Sequence, residues 1–209
     1  MQPEPLGQNA WVSARVVLLA GPSGAGKSHL AEGVGQPVVR LDDFYRDGDD
    51  AAMPRSPLGI VDWDHPGSWD AERAVDALER LCSTGAADVP IYDISVDGCI
   101  GHRPVTTHGS PLVIAEGIFA DQIAVALRER GLLAAAICVR HHRLVTFVRR
   151  LQRDLREHRK PAWVLVRRGL LLLRDEPRVV RRCLDAGCEP LNPAAARRRI
   201  VDLLVVARK

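Results

Sequence analysis

The chain has 209 residues, 46% of them hydrophobic and 26% charged, with a formal net charge of +3. That length suits one domain with a sizeable core, and the hydrophobic share argues against a disordered chain. The longest apolar stretches, "RVVLLA", "PLVIAEGIFA" and "GLLAAAICV", are too short to span a bilayer, and "MQPEPLGQNAW" lacks the basic start and apolar core of a secretion signal; a cytoplasmic protein that does not enter membranes is expected.

Residues before Val12 read as a loose leader, and "ARVVLLA" as a first buried strand. The next stretch, "GPSGAGKS" from Gly21 to Ser28, runs into the helical "HLAEGVG". A strand entering a glycine-rich turn that opens a helix aims several backbone N–H groups and the positive end of the helix dipole at one anion. The spacing is that of the P-loop: Gly21 and Gly26 permit tight backbone, Lys27 reaches the β- and γ-phosphates, and Ser28 offers its hydroxyl to magnesium. Gly21, Pro22, Ser23, Gly24, Ala25, Gly26, Lys27, Ser28 and His29 are therefore the expected nucleotide-binding run.

"QPVVRLDDFY" reads as a second short strand ending in Asp42 and Asp43, followed by a Pro- and Gly-rich loop through "DWDHPGSW" that carries Asp64. His65 in that loop fits a turn better than a catalyst. "DAERAVDALERLCSTG" is amphipathic, with Ala74, Val75, Leu78 and Leu81 on one face. "ADVPIYDIS" and "HRPVTTHG" form the arms of a hairpin or flap, "SPLVIAEGI" is a buried strand ending in Glu116, "DQIAVALRERG" a helix and "LLAAAICVR" a strand.

From Arg140 to Arg182 there are fourteen Arg and Lys against four Asp and Glu, in two helical segments. Such a stretch suits an anionic nucleotide site, a nucleic-acid surface or a solvated helical face. "CEPLNP" and "AAARRRIVDLLVVARK" close the chain as a short strand and a helix, and the five cysteines, which form no CxxC pair, are expected as reduced thiols.

The βαβα alternation predicts an α/β fold: a mostly parallel sheet of the P-loop NTPase type flanked by helices, with an Arg-rich helical lid. One domain is expected over residues 1–209: an α/β core over 12–139 with a substrate-side flap near 88–110, a helical lid and appended helices over 140–186, and a closing strand and helix over 187–209. Ligands of such sheets bind at the carboxyl ends of the strands. Asp42, Asp43, Asp64 and Glu116 fall there, compatible with metal ligation and with taking a proton from an alcohol.

"GPSGAGKS", "LDDFYR", "DWDHPGSWD", "VPIYD", "VIAEGI" and "RRLQRDLREHRK", in this order over residues 14 to 160, resemble the uridine kinase family, within the group that includes phosphoribulokinase and bacterial pantothenate kinase. The resemblance implies Asp42 as general base for a sugar 5′-hydroxyl, Asp64 as the grip on ribose hydroxyls, and Tyr92 as the aromatic beside the base. Tyr45 and Arg103 complete the acceptor side. It further implies Ser28, Asp42 and Glu116 around magnesium, with Lys27, Arg150 and Arg153 meeting the phosphates. This chain departs from the family's pattern on the base side: Gly67 replaces an acidic residue, and His102 comes later after "YD" than the family's base-reading histidine. The lid's "ERGR" is "EHRK", and "PAWVLVRRGLLLLRDEP" is not the expected continuation.

The expected activity is magnesium-dependent phosphoryl transfer from ATP, or GTP, to a small-molecule hydroxyl, with a pyrimidine nucleoside as leading acceptor. Another sugar or a pantothenate-like alcohol is the alternative within the class. A nucleotide-dependent switch with a basic nucleic-acid or partner surface is the rival from another class, disfavoured because "LDDFY" supplies a substrate-side carboxylate that a switch does not require. Oligomeric state is not legible in the sequence.

Overall fold

Continuous apolar runs become the interior strands of a parallel sheet. The computed structural model describes residues 14–56, 59–141, 174 and 176–208. Its elements are β1 (Arg15–Ala20), α1 (Lys27–Gly33), β2 (Val38–Arg40), α2 (Ala71–Thr84), β3 (Ala86–Asp93), β4 (Gly98–Thr106), β5 (Leu112–Glu116), α3 (Ala124–Glu129) and β6 (Leu133–Val139), then α4 (176–185), β7 (Glu189–Leu191) and α5 (Pro193–Ala207). The sheet order is β2-β5-β1-β6-β7, every pair parallel, and β3 and β4 form a separate antiparallel hairpin. This is the mostly parallel, helix-flanked sheet that the alternation predicts.

β1 lies at the centre and, beyond the exposed Arg15 at its start, is buried on both faces, which is why Val16–Ala20 is continuously apolar rather than alternating. Val16, Leu18 and Ala20 point into one core with Leu78 and Leu81 of α2, Ile123 and Leu127; Val17 and Leu19 point into the other with Leu30 of α1 and Ile200 and Leu204 of α5. Each fully buried leucine contributes about 1.5–3 kcal/mol of apolar burial. α2 buries the face its spacing predicts, begins where Asp70 accepts from the Arg73 N–H at 3.0 Å, and ends on Gly85 in the left-handed conformation.

Two elements differ from the sequence expectation. β2 stops at Arg40, and Leu41–Phe44 forms a 3₁₀ turn instead of extending the strand into the carboxylates. Leu41 and Phe44 are both buried, a spacing that suits the tighter turn, and the Trp69 indole N–H takes the Leu41 carbonyl at 2.6 Å. The flap expected near 88–110 is the hairpin Ala86–Thr106, and Ala87, Val89 and Val105 at its base belong to the core. Only its far half projects, carrying Ile94, Val96 and Ile100 exposed. Among the described residues no helix is long and apolar enough to cross a membrane. Most of the expected lid, with Arg150 and Arg153, lies outside the described residues.

Candidate active site

The carboxyl ends of β1, β2 and β5 converge on one edge of the sheet, and each is followed by a tight turn. After β1, Gly21, Gly24 and Gly26 all have positive φ, at 126°, 83° and 92°. A Cβ on Gly21 would strike the Val139 carbonyl oxygen at the end of β6, so close approach of two backbones also demands glycine there. The Ala25 N–H closes the turn onto the Pro22 carbonyl at 3.2 Å, and α1 starts at Lys27. The Lys27 ammonium donates to the carbonyls of Gly21 at 2.9 Å and Pro22 at 3.2 Å, folded back along its own loop.

Ser28 donates its hydroxyl to Glu116 Oε1 at 3.1 Å, joining the loop after β1 to the last residue of β5. Glu116 is 5% exposed. Burial pushes its carboxyl above the ordinary range, the neighbouring Asp42 adds to this, and Lys27, the Ser28 hydroxyl and Arg40 oppose it. Asp42 is exposed and accepts from the Ile118 N–H through Oδ1 at 3.1 Å, two residues beyond Glu116. Lys27, Ser28, Asp42 and Glu116 are thus brought together from three elements distant in sequence.

The 3₁₀ turn separates two adjacent carboxylates that composition and periodicity do not distinguish, although the family resemblance singles out Asp42. Asp42 faces outward, while Asp43 is buried and lies 3.6 Å from Arg103 of β4. Burial pushes Asp43 upward, with Arg40 and then Arg103 opposing. Arg103 therefore engages Asp43 and joins the hairpin to the turn that presents Asp42. Beyond Asp42 stands an aromatic wall: Tyr45 lies 5.8 Å from Tyr92, 5.9 Å from Trp63 and 6.1 Å from Phe119 between ring centroids. Burial, followed by the charges of Asp42 and Asp64, drives the Tyr45 phenol strongly upward, and burial with Asp97 and Asp47 pushes Tyr92 up to about 12. Both tyrosines stay neutral hydrogen-bonding groups at physiological pH.

Trp63 and Phe119 were not legible as site residues; for Trp63 the available signal was its place between two aspartates in "DWD". His65 accepts from the Gly67 N–H through Nδ1 at 3.0 Å, the turn role its context favours. His102 lies on the opposite face of β4 from Arg103, with Nε2 2.9 Å from an Arg73 nitrogen on α2, so it takes no place beside Tyr92. The five cysteines are free thiols.

The pieces fit a nucleotide and a magnesium ion in kind. Three glycines hold the loop in the positive-φ backbone that side chains rarely adopt, and the donor set beside them, a hydroxyl and carboxylates, is the hard oxygen chemistry magnesium takes. Among the described residues no three His, Cys, Asp or Glu side chains form a ready metal cluster. Magnesium does not need one, because it keeps waters and shares substrate phosphates.

The profile of the Phosphoribulokinase / Uridine kinase family matches residues 16–161. The chain is similar to the uridine kinase of Haemophilus influenzae, 29% identical over 160 residues that cover 69% of this chain and 70% of that one. It is also similar to that of Clostridium botulinum, 27% identical over 165 residues covering 75% and 76%. Among solved structures, a "putative fructose transport system kinase" of Silicibacter sp. TM1040 superposes with a TM-score of 0.59 at 20% identity, over 82% of this chain and 87% of that one, a likeness of fold.

Proposed function

The chain belongs to the phosphoribulokinase/uridine kinase family of P-loop phosphotransferases acting on a hydroxyl, and we propose that it moves the γ-phosphoryl group of ATP to the 5′-hydroxyl of a pyrimidine nucleoside, uridine or cytidine. The observation that carries this reading is the juxtaposition of an exposed carboxylate, Asp42, with the Ser28–Glu116 pair on one side and the Tyr45–Trp63–Tyr92 wall on the other. A phosphate cradle, a proton acceptor and a surface for a planar ring then share one edge of the sheet. The names of the curated relatives point to the same acceptor.

In this reading the backbone N–H groups of Gly21–Gly26 and the start of α1 hold the phosphates. Lys27 exchanges its two loop carbonyls for phosphate oxygens. Ser28 and Glu116, with Asp42 at their edge, would hold magnesium, which would supply charge to offset the phosphates. Asp42 takes the proton of the attacking hydroxyl, whose oxygen bonds to the γ-phosphorus as the bond to the ADP oxygen breaks. Asp64 binds acceptor hydroxyls, Tyr45, Trp63 and Tyr92 line the base, and Arg103 acts through Asp43. Arg150 and Arg153 supply cations to the transferring group, a role their planar forks suit.

The deciding experiment incubates the protein with ATP, magnesium and, separately, uridine, cytidine, purine nucleosides, simple sugars and pantothenate, and reads each product by mass. Phosphorylated uridine or cytidine as the dominant product is expected. A phosphorylated sugar or pantothenate in its place moves the acceptor elsewhere in the family. No acceptor product, together with salt-dependent nucleic-acid binding, favours the switch.

A further inference from the structure

We infer that Arg182, on α4, is a positioning residue for phosphoryl transfer: it fixes the backbone of Ile118 and thereby the orientation of the Asp42 carboxylate. The inference rests on the reading of Asp42 as the proton acceptor. The contacts form a short chain. Arg182 donates from Nε to Asp121 Oδ2 at 2.5 Å, and from one terminal nitrogen to Asp121 Oδ1 and to the Ile118 carbonyl, both at 3.1 Å. Ile118 then offers its N–H to Asp42 Oδ1 at 3.1 Å. One residue is thus gripped at its carbonyl by Arg182 while its N–H grips the candidate base.

The grip is stiff. The Asp121 side chain is 1% exposed, so the bidentate pair is shielded from water on the carboxylate side, and a planar fork held at three acceptors leaves little freedom. The same guanidinium lies 5.5 Å from the Phe119 ring centroid, and Phe119 packs edge-on against Tyr45 of the acceptor wall and beside Trp69, which holds the Leu41 carbonyl. Arg182 therefore bears on Asp42 by two routes, through Ile118 and through the packing of the turn that carries it. Residues 117–119 follow directly on Glu116, and no helix of their own rigidifies them. A purely structural clamp would affect folding alone. A positioning residue must change turnover through Asp42.

The test compares single-turnover transfer from saturating ATP to uridine in the parent, Arg182→Lys, Arg182→Met/Asp121→Asn, Asp42→Asn and Asp42→Asn/Arg182→Lys, with ATP affinity and melting curves measured alongside. Lysine keeps the cation but not the fork, and the Met/Asn pair removes the contact without stranding a buried charge. Both changes are expected to slow transfer by about tenfold or more, with ATP affinity within about twofold of the parent. In the Asp42→Asn background, Arg182→Lys should leave the residual rate within about twofold, because groups acting as one unit are not additive. Parental rates in both folded Arg182 variants, or the same slowing with and without Asp42, would overturn the inference. A parental rate for Asp42→Asn alone would refute the catalytic reading beneath it, an outcome visible without any Arg182 variant. Absence of transfer to uridine in the parent would remove the pyrimidine reading and the inference as stated.

Discussion

Gly117→Ala tests how tightly the base is seated, because its consequence follows from distances alone. A Cβ at Gly117 would sit 2.8 Å from Leu41 Cβ and 2.9 Å from Asp42 Oδ1, where ordinary contact begins at 3.4 Å. The Leu41 side cannot yield, since Leu41 is fully buried and its carbonyl is held by Trp69. With Leu41 fixed, the Gly117 backbone must draw back from it, and the Ile118 N–H and the Asp42 carboxylate it holds must shift by about 0.5 Å, at the limit of the tolerance for a working catalytic geometry. A displacement of that order should cut turnover by about 10- to 100-fold, while overpacking lowers stability by about 1–3 kcal/mol. Gly33→Ala is the control: its methyl meets only an Arg197 nitrogen at 3.8 Å, and turnover should stay parental. The assay is ADP release coupled to uridine phosphorylation, with ATP affinity and melting midpoint recorded for each variant. A folded Gly117→Ala protein turning over at the parental rate would refute the seating of Asp42 described here.

Asp64→Asn should raise the KM for uridine about tenfold or more with little change in kcat, because it removes binding shared by ground and transition states; steady-state kinetics showing the reverse would reassign it. Glu116 and Asp43 are both pushed upward by burial, so the folded state holds their protons more tightly than the unfolded chain does. Their contribution to stability is full below the ordinary carboxylate pKa and is lost as pH rises through the folded values, and Glu116→Gln should melt higher than the parent at neutral pH, with a flatter pH dependence and weakened magnesium-dependent stabilisation by ATP; melts across pH 4 to 8 that coincide with the parent's would contradict this. Single Arg150→Ala and Arg153→Ala changes should each cut turnover by about tenfold or more while leaving weak DNA or RNA affinity almost unaltered; gel shifts with graded loss of binding at unchanged turnover would favour a nucleic-acid surface.

Much of the fold was legible because burial repeats with the chain's own periods. Val16–Ala20 of β1 and Leu112–Ala115 of β5 are continuously apolar since both faces of these strands are covered, and α2 shows its buried stripe, its Asp70 cap and its Gly85 stop in sequence. The phosphate loop is local, so its spacing and flanks sufficed. What was not legible depends on partners far apart in the chain. The resemblance singled out Asp42 in "LDDF" without a physical cause; the 3₁₀ turn, held by buried Leu41 and Phe44, supplies it by sending Asp42 outward and Asp43 toward Arg103. Arg182 stood in a basic run as one cation among many, and its pairing with Asp121, 61 residues away, is set by where α4 docks. Trp63 joined the acceptor wall through a loop whose path no periodicity describes.

The central claim is that Asp42 serves the transferring hydroxyl while the loop from Gly21 to Ser28 serves the nucleotide. Single-turnover transfer from ATP to uridine, measured in the parent and in Asp42→Asn beside ATP affinity by calorimetry, tests it most directly. A rate lower by about two orders of magnitude or more, with ATP affinity unchanged, is the predicted result. A near-parental rate, or a loss of transfer that merely follows a loss of ATP binding, would contradict it.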